Sequence, residues 1–61
     1  MRTQLVWAVG RHLGGGYKVG ELYVVLPRES TEAAKDDACK QAVEQWCMRH
    51  AVSLVAAEVA R

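Results

Sequence analysis

A chain of 61 residues, 51% hydrophobic and 25% charged with a formal net charge of +1, has the make-up of one globular domain and not of a disordered or fibrous protein. The near-neutral total gives no general attraction to polyanions, and no stretch approaches the roughly 18 apolar residues of a membrane span. A domain of this size hides only about 60% of the surface its unfolded chain exposes, so pairing into a homodimer is an expected way of adding stability.

The first element is a strand over 3–13. In TQLVWAVGRHL one alternate set is Leu5, Trp7, Val9 and Leu13, and the other is Val6, Ala8, Gly10 and His12. Leu5–Val9 is too short for a signal-peptide core and runs straight into Gly10, Arg11 and His12, so a soluble, cytoplasmic chain is expected. Three glycines follow at 14–16, and then a second strand over 17–26, where Leu22, Val24 and Leu26 alternate with Glu21, Tyr23 and Val25 before Pro27. A phosphate-holding loop needs glycines at a helix start with a Lys-Ser/Thr or dinucleotide-binding spacing, and neither follows here. The glycines therefore turn a hairpin.

A two-residue loop at Gly15 and Gly16 sets Trp7 opposite Val24, Leu5 opposite Leu26 and Val9 opposite Leu22, and suits a turn with positive φ at both positions. A three-residue loop would bring Glu21 against Val9 and mix charge into the core, so the two-residue register is expected.

Residues 31–50 read as a helix. Ser30 or Thr31 is the N-cap, Glu32 lies in the first turn, and Ala34, Ala38, Cys39, Ala42, Val43, Trp46, Cys47 and His50 recur at three and four. Asp36 and Lys40 form an i,i+4 pair on the wet side, and Arg49 and His50 complement the helix C-terminus. The tail, VSLVAAEV at 52–59, fits either a continued helix or a closing strand. A strand is expected, because a hairpin and a helix alone leave little to close a core. The result is one α+β domain over 1–61, ordered β-β-α-β: a three-stranded antiparallel sheet of order 2-1-3 with one helix across one face.

Catalytic chemistry is thin. Cys39 and Cys47 lie eight residues apart on the helix, about 12 Å at 1.5 Å per residue, too far to bridge. Unpaired thiols on an apolar stripe behave as small hydrophobes in a reducing compartment. Cys47 and His50, with Cys39 or His12 added, make only a weak metal pattern without a second close pair. No nucleophile or acid is spaced recognisably around His12 or His50, and a pocket of a few hundred Å³ beside an intact core is not expected at this size. No enzyme activity, cofactor or bound metal is expected.

Surface is what remains. With Leu5, Trp7, Val9, Leu22, Val24 and Leu26 facing the helix, the uncovered face carries Val6, Ala8, Val19, Tyr23 and Val25, rimmed by Gln4, His12 and Glu21. Clustered exposed apolar residues mark contact with another protein. The expected contact residues are Val6, Ala8, His12, Glu21, Tyr23 and Val25, an assignment that requires Trp7 to point at the helix. The expected role is stoichiometric binding of another protein, as an inhibitor or adaptor of the kind phages and mobile elements encode, with edge strands available for pairing of two copies.

The second reading is a sheet that receives nucleic acid. Residues 1–28 carry Arg2, Arg11, Lys18 and Arg28 against Glu21, a net +3, while the remainder carries four basic residues against six acidic ones, a net −2. In the expected register, however, Tyr23 is the one aromatic on the open face and Arg11 points away from it.

Overall fold

A computed structural model describes residues 2–60; the end residues of the expected 1–61 domain, Met1 and Arg61, lie outside the described residues. The elements are β1 (Arg2–His12), β2 (Tyr17–Leu26), α1 (Glu32–His50) and β3 (Val52–Val59). The strands form one antiparallel sheet in the order β2-β1-β3, and α1 covers one face of it. This is the expected β-β-α-β arrangement.

Local chemistry sets the helix ends. The backbone N–H of Ala34 donates to the Thr31 hydroxyl at 3.1 Å, so Thr31 is the cap and α1 begins at Glu32, one residue later than expected. At the far end Ala51 adopts φ 54°, ψ 46°, and its N–H turns back to the carbonyls of Cys47 and Met48. A single residue thus separates α1 from β3. A left-handed residue closing a helix in this way is ordinarily glycine.

The hairpin differs from the expectation. The Gly15 N–H donates to the His12 carbonyl and the His12 N–H to the Gly16 carbonyl, both at 3.0 Å, which closes a loop at 13–15. Gly15 and Gly16 take φ of 99° and 88°, so the glycines do turn the chain, through an odd-length loop of the bulged type instead of a two-residue one. The register becomes Trp7 opposite Glu21, Val9 opposite Val19 and Leu5 opposite Tyr23. An odd shift of register exchanges the faces of a strand. The expected faces of β2 stand, whereas β1 is turned over: Val6 and Ala8 point at the helix and are 1% and 0% exposed.

Packing explains why the small residues of β1 go inside. The core joins Val6, Ala8, Val24, Leu26 and Val52 to Cys39, Val43 and Trp46 of α1, with Leu22, Ala38, Ala42 and Cys47 packed around it. The Trp46 indole lies directly on Gly20, where an added Cβ would be 2.6 Å from its ring atoms, and beside Gly10, where Val52 and Trp46 fill the same position. Gly10, Gly20 and Ala8 together form the shallow bed that one large ring requires. With Trp7 on this face the bed would not exist.

β3 pairs with β1 from Val6↔Val59 to His12↔Val52, with an irregularity opposite Val9 and Gly10. Counting from either end of the ladder puts Val55 and Ala56 both on the outer face. No helix among the described residues is long and apolar enough to cross a membrane.

Candidate functional site

The face of the sheet opposite α1 has no element of the described chain over it. Its composition follows from the observed register. Successive rows across β2, β1 and β3 read Tyr17, Arg11 and Ser53; then Val19, Val9 and Ala56; then Glu21, Trp7 and Glu58; then Tyr23 and Leu5; then Val25 and Thr3. Rows lie about 7 Å apart, two residues at roughly 3.3–3.4 Å each. Trp7 is 40% exposed at the centre, and Val19, Tyr23 and Val25 are 64%, 65% and 60% exposed around it. The face is therefore banded: a basic row, an apolar row, an acidic row centred on an indole, and apolar rows again.

Three of the six expected contact residues, Glu21, Tyr23 and Val25, lie on this face. The other three do not. Val6 and Ala8 are core residues, and His12 shares the helix side with its partner Val52. Gln4, expected at the rim, is also on the helix side, where its side-chain amide donates to the carbonyl of Ala60 and ties the end of β3 to β1. The surface as first composed fails with Trp7, which points away from the helix. In place of Val6 and Ala8 stand Leu5, Trp7 and Val9, larger and more apolar. The reason is the same odd loop.

Electrostatics on the face are local. The Tyr23 hydroxyl donates to the Glu21 carboxylate at 3.0 Å. That bond, together with the carboxylate's charge, raises the Tyr23 pKa above the ordinary tyrosine value of 10.0. Neither Glu21 nor Glu58 has a basic residue as strand partner, or two positions along its own strand.

The helix side also departs from expectation. The N-terminal half of α1 carries small residues and parts from β3, leaving an open groove of about 350 Å³ lined by Val6, Cys39, Val43, Leu54, Ala57 and Val59 among others. A more polar hollow of about 690 Å³ adjoins it between Gln4, Glu32, Lys35, Asp36 and Ala60. Concavities of this size were not expected in so short a chain. They arise because α1 leaves the β3 flank of the sheet uncovered there, not because the core is hollow. Among the described residues no three His, Cys, Asp or Glu side chains converge as a metal site would require. Cys39 and Cys47 are both free thiols, and the His50 ring lies tilted against that of Trp46 with centroids 5.4 Å apart.

No family model, curated protein or solved structure matches this chain.

Proposed function

We propose that this chain is a non-enzymatic binding module that engages another protein stoichiometrically through the outer face of its sheet, as a small inhibitor or adaptor. The observation that carries the reading is Trp7. A tryptophan at the centre of a sheet face, with Leu5, Val9, Val19 and Tyr23 in the rows on either side of its own Glu21–Trp7–Glu58 row, offers the aromatic anchor that dominates the energy of interface centres. Glu21 stays in the contact set, and Val6, Ala8 and His12 leave it. The test is capture of a partner that saturates at one per chain and is lost on Trp7→Asp and Tyr23→Asp, with both variants keeping the circular dichroism of the parent. A partner retained by both variants overturns the reading.

One observation favours a second reading. The corrected register puts Tyr17, Trp7 and Tyr23 on one face with Arg11, and aromatic platforms on sheets stack the bases of single strands. The carboxylates on either side of Trp7 oppose it by repelling phosphates. Titration of the intrinsic tryptophan fluorescence with oligothymidylate, with Trp7→Phe run beside it to subtract Trp46, separates the two. Binding that falls steeply with salt selects nucleic acid, and its absence at micromolar oligonucleotide leaves the protein reading.

A further inference from the structure

We propose that the partner lays a lysine or arginine side chain across the Trp7 indole, between the carboxylates of Glu21 and Glu58; this rests on the protein-binding reading above and names the chemistry of the partner. Trp7 has Glu21 as its direct strand partner on one side and Glu58 on the other. Residues directly opposite on one face hold their Cβ atoms about 4.5–5.5 Å apart, so Glu21 and Glu58 flank Trp7 within one side chain's length of a cation laid on the indole, and the Glu21 carboxylate also accepts the Tyr23 hydroxyl. Among the described strand residues the cation on this face is Arg11, four residues along β1, about 13 Å away at 3.3 Å per residue, beyond their reach.

The charge pattern decides among occupants. A wholly apolar partner would strip water from two carboxylates and give nothing back. A second copy laid row on row would bring four carboxylates into one dry layer. A cation does the opposite: the indole presents its negative π face, and the two carboxylates supply charge on either flank. Arginine suits the position best, because its planar guanidinium stacks on a ring while its edges donate to carboxylates. The rows to either side, Val19 with Val9 and Tyr23 with Leu5, are apolar. The complementary segment therefore reads apolar, basic, apolar at alternate positions of an extended strand.

The test uses a disulfide-closed β-hairpin peptide presenting Val-Arg-Val on one face, and its twin with norleucine for arginine. Each is titrated into the isotope-labelled protein while the indole N–H resonances are followed, with buried Trp46 as internal reference. The arginine hairpin is expected to shift the Trp7 resonance with an affinity about ten-fold above that of its twin. The difference shrinks with added salt and in Glu21→Gln/Glu58→Gln, leaving only the part owed to the indole. Equal shifts from both hairpins overturn the cation and leave the protein-binding face standing. No Trp7 shift from either overturns both. A chain that is dimeric by light scattering, and monomeric as Trp7→Ala, gives the face to a second copy and overturns the proposal as well.

Discussion

Ala51 occupies a conformation, φ 54°, that costs an L-residue roughly 1–2 kcal/mol and glycine almost nothing. It does so because α1 must become β3 within one residue. Ala51→Gly is therefore expected to stabilise the chain by about 0.5–1 kcal/mol, the gain in strain less the extra freedom of the unfolded glycine, which thermal melts read as a few degrees. Gly20 is the reverse case. A Cβ there would press 2.6 Å from the rigid Trp46 ring, so Gly20→Ala is expected to cost about 1–3 kcal/mol in urea unfolding. Gly14→Ala meets nothing within 4 Å and is expected to be neutral or slightly stabilising. Tyr23 reports on the outer face. In a Tyr17→Phe background its ultraviolet titration is expected to have a midpoint above 10.0, moving down on Glu21→Gln. Since the folded chain holds this proton more tightly, the bond's contribution is complete below 10.0 and is lost as pH rises through the folded value.

At the scale of elements, strand period and helix period were legible as local patterns, the cap was narrowed to Ser30 or Thr31, and the closing strand was chosen over a longer helix only because the core needed closing. The facing of β1 was not legible. Both alternate sets of that strand are apolar, so alternation cannot choose between them, and bulk points to the set containing Trp7. The choice belongs to the helix: Trp46 needs a flat bed, and Gly10 and Gly20 are the residues that make one. Two glycines inside strands, paired with a single tryptophan on the only helical stripe, were the available signal. The odd loop and the flipped strand are two expressions of that one packing demand, and half of the expected contact residues moved with it. Sidedness is directly measurable. Leu26→Ala, at 2% exposure, is expected to cost about 2–5 kcal/mol, whereas its neighbour Val25→Ala on the outer face is expected to cost under about 0.5 kcal/mol, both by urea unfolding.

Taken whole, the molecule is a one-sided sheet, 41 × 18 × 15 Å, with its long axis set by the 11 residues of β1. The helix packs on one face over glycines and small residues of β1 and β2, leaving the β3 flank open beside its N-terminal half, and the residues that would ordinarily compete for the core, Trp7 and Leu5 among them, are left outside. Burial and display are thus divided between the two faces of the same strand. The path of the chain adds a separate property. The N–H of Ala60 donates to the carbonyl of Leu5 at 2.9 Å, so the first and last described residues lie at the same end of the sheet, while the turn at 13–15 marks the far pole. Such a unit can be spliced into an external loop of a host enzyme or scaffold through two neighbouring joints without prying its host apart, and it would hold its aromatic panel a fixed distance from the graft.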